Sequence, residues 1–165
     1  MPSALSPQVT QYQLNSEELA ALLRAAIGDG YTASFNAPGS SMLPFIHSDD
    51  KIFVSSVAEK SIRTGDILAF VLALDGRVIA HRVVKIIDKR FLCKGDNVAL
   101  HDDGWIAFED VLGRVEKVER NGKPVRFGMG HEKKLIAHLS FKKWLVPVLN
   151  VFREIKWGVI GLFSR

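Results

Sequence analysis

Asp66-Ile67-Leu68-Ala69-Phe70-Val71-Leu72-Ala73-Leu74 and Arg77-Val78-Ile79-Ala80-His81-Arg82-Val83-Val84-Lys85-Ile86-Ile87 are two long β-rich runs, and Asp75-Gly76 joins them. Asp-Gly between two such runs signals a two-residue type I′ hairpin, because that turn needs positive φ at both central positions. Working outward, Arg90 to Cys93 continues the meander. Thr32 to Ala37 and Lys51 to Ser55 read as two earlier strands. Val111 to Glu119 and Pro124 to Phe127 flank Asn121-Gly122, a second hairpin signal. A Gly/Asp-rich loop, Gly95 to Gly104, separates the two groups. Short strands with tight turns predict a mainly β fold, a mostly antiparallel sheet folded over on itself.

Both ends of the chain change period. Leu19, Leu22, Leu23 and Ile27 recur at helical spacing after Asn15-Ser16-Glu17-Glu18, with Ser16 as the expected cap and Gly28-Asp29-Gly30 as the stop. From Lys133 to Phe163, Leu135, Leu139, Trp144, Leu145, Val148, Phe152, Ile155 and Val159 can share an apolar helical face, which Pro147 and Gly158 are expected to break. The organisation is therefore an N-terminal arm and helix over 1–30, a β domain over 31–128 and a basic amphipathic helical tail over 129–165.

Composition bounds the function. The chain has 165 residues, 47% apolar and 24% charged, the balance of a globular domain rather than a disordered tail. Cys93 is its one cysteine, which excludes an internal disulfide or a cysteine-based zinc cluster. The net charge of +4 is unevenly placed: His131 to Arg165 carries seven Lys/Arg against two acids, and the remainder fifteen against sixteen. A nucleic-acid enzyme would carry its basic face on the folded body, so no nucleic-acid partner is expected. A basic, aromatic tail predicts peripheral contact with an anionic membrane surface through residues 133–163. The opening residues lack the basic and apolar regions of a secretory signal. Trp144 to Phe163 is interrupted by Pro147, Asn150, Arg153, Glu154 and Lys156, so no transmembrane span is expected. These features together predict a cytoplasmic protein, peripheral to a membrane.

Three places could carry chemistry. Pro38-Gly39-Ser40-Ser41-Met42-Leu43-Pro44 puts serines on a tight turn after a strand, where backbone N–H groups can meet an oxyanion; a plain turn reads equally well. His81 shares a strand face with Ile79 and Val83, while Arg82 faces the other way. A lone histidine there is either a hydrogen-bonded structural residue or a base. Lys94-Gly95-Asp96-Asn97 and His101-Asp102-Asp103-Gly104 read as solvated turns; the spacing of Asp96, Asp102 and Asp103 does not fit a calcium ligand ladder. No cofactor or metal is expected.

The order of these motifs, Ser41-Met42, then Gly65-Asp66-Ile67, His81-Arg82-Val83, Gly95-Asp96-Asn97 and Asp102-Asp103, resembles the type I signal peptidase superfamily of serine peptidases, a group that also includes SOS-repressor-like proteins. The likeness is closest to the archaeal and endoplasmic-reticulum branch, which has histidine where the common bacterial branch has lysine. It covers about Phe35 to Val118. The resemblance implies a coiled antiparallel β-sheet peptidase domain, Ser41 as nucleophile and His81 as general base. It also implies acidic positions at Asp96 and at Asp102 or Asp103. The chemistry is coherent: a serine hydroxyl needs a base, and histidine, with an ordinary pKa near ~6.5, is largely neutral at pH 7. A lysine base such as Lys94 would first have to be desolvated. Asp96 could orient the imidazole, and the Ser41 N–H is the natural oxyanion donor, with Ser40 beside it. The sequence departs from Ser-Gly-Ser-Met at Gly39, where relatives carry a hydroxyl. The reading is a serine endopeptidase acting on a precursor or leader peptide. The alternatives are a non-catalytic peptide-binding domain on the same fold and a self-cleaving regulator.

Overall fold

A computed structural model describes residues 15–151. Its strands are β1 (Ala33–Asn36), β2 (Lys51–Ser55), β3 (Ile67–Val71), β4 (Val78–Ile87), β5 (Arg90–Lys94), β6 (Trp105–Ile106), β7 (Val111–Arg120) and β8 (Lys123–Pro124). They form one eight-stranded sheet in the order β1-β2-β7-β3-β4-β5-β6, with β8 on β7, and every pairing is antiparallel. The mainly β expectation holds.

The sheet does not stay flat. Its register shifts in β2/β7 at Phe53/Val54, in β3/β7 at Ala69/Phe70 and in β4/β5 at Val83/Lys85. Such bulges bend the strand and sharpen its twist. Two cores result. Ile52, Val54, Ile67, Ala69, Val115 and Val118 pack with Leu23 and Ile27 of the N-terminal helix. Leu68, Phe70, Val83, Phe91, Cys93 and Ile106 form the second. Strand β3 supplies alternate residues to both, which is why Ile67-Leu68-Ala69-Phe70 is apolar without a break.

The turns differ in part from expectation. Asn121 and Gly122 have φ of 51° and 72°, the type I′ signature, and Arg120 pairs with Lys123 across them. The Asp75-Gly76 turn is longer than two residues. Val71 pairs with Val78, and the Leu72 N–H donates to the Arg77 carbonyl, so Ala73 to Gly76 form a four-residue loop. Leu74 then projects into solvent instead of extending β3. A further tight turn, with positive φ at Asp88 and Lys89, joins β4 to β5. Strand β6 was not anticipated, and of the expected last strand, Pro124 to Phe127, only Pro124 pairs as a strand, together with Lys123 before it.

Helix α1 (Ser16–Gly28) is capped one residue earlier than expected. The Asn15 side chain accepts from the Glu18 N–H, and the Glu18 carboxylate accepts from the Asn15 N–H, a reciprocal capping box. Helix α2 (Lys133–Phe141) lies against β4 and buries Ile136, Ala137 and Ser140. Leu135, expected on the apolar face, is instead exposed. The break after α2 falls at Lys142 and Lys143, the latter at φ 62°, and not at Pro147. Residues 145–151 are helical, and the first bond of that turn runs from the Val148 N–H to the Trp144 carbonyl. Pro147 precedes it, where a missing N–H is harmless. Leu145 packs with Phe45 and Ile136. No helix among the described residues is long and apolar enough to cross a membrane. The expected arm over residues 1–14 and the apolar positions Phe152, Ile155 and Val159 lie outside the described residues.

Candidate active site

Ser41 stands on the connection between β1 and β2. The Ala37 N–H donates to the Asp50 carbonyl and the Asp49 N–H to the Ala37 carbonyl, closing the base of this loop. Met42 and Ile46 sink into the first core and anchor the turn from below. From above, the Asn97 N–H donates to the Ser41 carbonyl at 2.7 Å and the Asn97 amide to the Ser40 carbonyl at 3.2 Å. Gly95 is needed for this approach, since a Cβ there would meet the Ser41 carbonyl oxygen at 2.8 Å.

His81 arrives from β4, opposite Leu68 of β3. Its Nε2 lies 2.7 Å from the Ser41 Oγ, and its Nδ1 lies 2.7 Å from Asp103 Oδ2. A carboxylate only accepts, so Nδ1 carries the proton and Nε2 is left to accept from the Ser41 hydroxyl. The Phe70 ring meets the imidazole edge-on, with centroids 6.5 Å apart. Both His81 and Asp103 are largely shielded from water.

Arg82, the next residue, turns to the other face and is fully buried. Its guanidinium donates to both oxygens of Asp96 at 2.7 to 3.1 Å and to the Gly65 and Gly128 carbonyls at 2.9 Å. Asp96 was expected beside the imidazole. The structure places it on Arg82 instead, because a guanidinium buried on that face must have a counter-charge. Burial pushes the Asp96 carboxyl above its ordinary value, and Arg82 opposes that shift. Of the Asp102-Asp103 pair, Asp103 reaches His81. Asp102 caps its own turn by accepting from the Gly104 N–H, and it stays exposed.

Ser40 is exposed beside Ser41, and among the described residues neither the Ser40 hydroxyl nor the Ser41 N–H is engaged in a hydrogen bond. Lys94, the alternative base, is buried, and its ammonium donates to the Ala99 and Ser140 carbonyls. Cys93 offers no rival nucleophile, since burial, and next the nearby Asp103 charge, raise its thiol well above the ordinary range. The roles of Asn97 and Lys94 escaped the sequence reading, although both flank the Gly95-Asp96 pair that drew attention to this loop.

A cleft of about 700 Å³ opens over Ser41 and His81. Phe35 and Ala37 line one side, Val78 and Ala80 the other, and Ser16 its end. β4 pairs with β5 only from Arg82 onward, and β1 pairs only with β2. Both walls therefore present a strand edge free of a partner among the described residues.

No family model matches the chain. Over 89 residues, 46% of its length, it is 37% identical to the signal peptidase complex catalytic subunit SEC11C of Homo sapiens and of Mus musculus, covering 45% of each relative. It is 40% identical to the putative signal peptidase complex catalytic subunit SEC11B of Homo sapiens, of which it covers 52%. The chain spans about half the length of these curated relatives. Over that half it is homologous to signal peptidase catalytic subunits, the endoplasmic-reticulum-type branch of the type I signal peptidase superfamily.

Proposed function

We propose that this chain is a serine endopeptidase of signal-peptidase type that cleaves a precursor or leader peptide. One observation carries the reading: Ser41, His81 and Asp103 form an unbroken hydrogen-bonded line at the floor of an open cleft. The Ser41 Oγ attacks the scissile carbonyl while His81 Nε2 takes its proton. Asp103 holds the Nδ1–H tautomer and stabilises the imidazolium as it forms. The Ser41 N–H, with the Ser40 hydroxyl beside it, meets the oxyanion. His81 then returns the proton to the departing amine, and a water repeats the sequence on the acyl-enzyme.

The peptide enters extended, as an added strand between the free edges of β1 and β4. The resemblance to signal peptidases implies small side chains at two positions near the scissile bond, and Phe35, Ala37, Val78 and Ala80 line the cleft that would receive them. A lipid contact belongs to the same reading: Lys142, Lys143 and Trp144 are exposed together on the turn after α2. It predicts salt-sensitive co-sedimentation with anionic vesicles.

The deciding experiment incubates the purified chain with a peptide bearing Ala at both small-residue positions and maps the products by mass. Single-site cleavage that Ser41→Ala abolishes is expected. Binding of the peptide without turnover, unchanged in Ser41→Ala, would return the chain to a binding domain.

A further inference from the structure

Lys94 has a side chain that neither the proton relay nor the peptide cleft uses, yet it is 4% exposed. A buried ammonium is costly unless its donors are met. Here two of the three are met by carbonyls from distant parts of the chain. One is Ala99, at 3.1 Å, inside the loop that runs from Gly95 to Gly104. The other is Ser140, at 2.9 Å, in the last turn of α2. The Ser140 carbonyl also accepts from the Lys143 N–H at 3.0 Å and has a second lone pair for the ammonium, and the carboxyl end of a helix carries the negative end of the dipole, so a cation there is well placed.

The loop that Lys94 pins is the one that builds the site. Its Gly95 packs on Ser41, its Asn97 holds the Ser40 and Ser41 carbonyls, and its Asp103 binds His81. The start of the loop is fixed by Arg82 on Asp96, and its end by the Asp103 N–H on the Cys93 carbonyl. Between those anchors, Ala99 is held by Lys94. Helix α2 is in turn fastened to the body by Ile136 and Ala137, by Leu145 against Phe45, and by the Lys133 ammonium on Asp66 at 2.7 Å.

We infer that Lys94 is a positioning residue that couples the C-terminal helix to the Asp103 loop, so that α2 belongs to the peptidase unit and is no separable tail. The inference rests on the proposed peptidase reading. The charged groups facing the ammonium are Asp96 and Asp102 from the loop and Lys143 from the turn after α2. Burial, and then Lys143, draw the Lys94 pKa below its ordinary value, while the two acids oppose this. The surroundings thus disfavour the charged form on balance, and the two carbonyl bonds are what hold the ammonium in place.

The test compares Lys94→Met with the full chain by the pH profile of kcat/KM and by the low-field Nδ1–H proton resonance of His81. The resonance needs no substrate. If Lys94 positions the loop, the Asp103–His81 bond loosens. Then kcat/KM falls about 10- to 100-fold, as displacement of reacting groups does. The acid limb of the profile moves to lower pH, because the imidazolium loses its partner, and the Nδ1–H resonance shifts or broadens. A purely structural role lowers only the fraction of active molecules and leaves both midpoint and resonance where they were; that result overturns the inference. Where Lys94→Met does not fold, Lys94→Gln and Leu145→Ala are read in the same way, the second loosening α2 far from the cleft. Leu135→Ala, on the exposed side of the same helix, keeps the original profile. If the full chain shows no Ser41-dependent cleavage, the peptidase reading fails, and the resonance still decides whether Lys94 holds Asp103 on His81.

Discussion

His81 and Arg82 are neighbours on one strand, and each takes an acid from the same loop, yet the two pairs do different work. His81 faces the cleft and meets Asp103 at its wall, where a proton can move. Arg82 faces the interior and meets Asp96 in a fork with both partners fully buried, and neither lines the cleft. Alternation along a strand has sorted a cleft-facing pair, the proposed relay, from a fully buried one at a spacing of one residue. Of the acids that the motifs single out, Asp96 pairs with Arg82 and Asp103 touches the imidazole.

That contrast can be broken from either side. The largest effect is expected at the relay itself: Ser41→Ala or His81→Ala should lower kcat by roughly 10⁴-fold or more, with the melting temperature unchanged in Ser41→Ala. Asp103→Asn should follow, at about 10²- to 10⁴-fold, because the amide favours the wrong tautomer. A thermal melt read beside the kinetics checks that the fold survives in each. A loss in Asp96→Asn matching that in Asp103→Asn, at full stability, would abolish the distinction between the pairs.

On the structural side, Arg82→Met or Asp96→Leu alone should cost about 3–5 kcal/mol in denaturant unfolding, since each strands a buried charge. The double variant, with both charges gone, should recover most of that loss. Asp50→Asn should cost about 1.5–3 kcal/mol, as for other hydrogen bonds to a charged group. Its carboxylate accepts from Arg120 and from the His47 N–H, and first the Arg120 hydrogen bond draws its pKa below the ordinary range. A lowered carboxyl pKa stabilises the fold above the unfolded value and loses that contribution as pH falls through the folded one. The difference between the native chain and Asp50→Asn should therefore shrink in acid below the ordinary carboxylate range. The smallest effect is expected for Asp102→Asn, within about twofold in kcat/KM and about 0.5 kcal/mol in stability or less.

The fold was legible where the pattern is local. The runs on either side of Asp75-Gly76 announce an antiparallel pair, and their alternation already separates His81 from Arg82. Asn121-Gly122 announces its turn outright. What stayed hidden depends on contacts across long stretches of chain. Nothing near Asp96 says that Arg82 will claim it, and nothing near Asp102 and Asp103 says which will face the imidazole, because loop residues have no periodic rule to sort them. Leu135, expected on the apolar face, is exposed while Ile136 is buried, because α2 is oriented by Phe45 and β4, not by its own apolar stripe alone. Pro147 read as a helix breaker because its meaning depends on where the helix starts, which Lys143 and Trp144 decide.

The edges of β1 and β4, unpartnered among the described residues, also bear on how copies of the protein meet one another. Backbone groups that can accept a peptide strand can equally accept a strand from a second molecule, the route by which sheets grow into aggregates. The exposed edge of β4 is brief, Val78 to His81, and it begins beside the Asp75–Arg77 ion pair. Charge at the mouth and a recess too short for a long ladder let the edge receive a narrow guest while discouraging sheet-to-sheet stacking, so neutralising Asp75 and Arg77 together should show first as turbidity in concentrated solution.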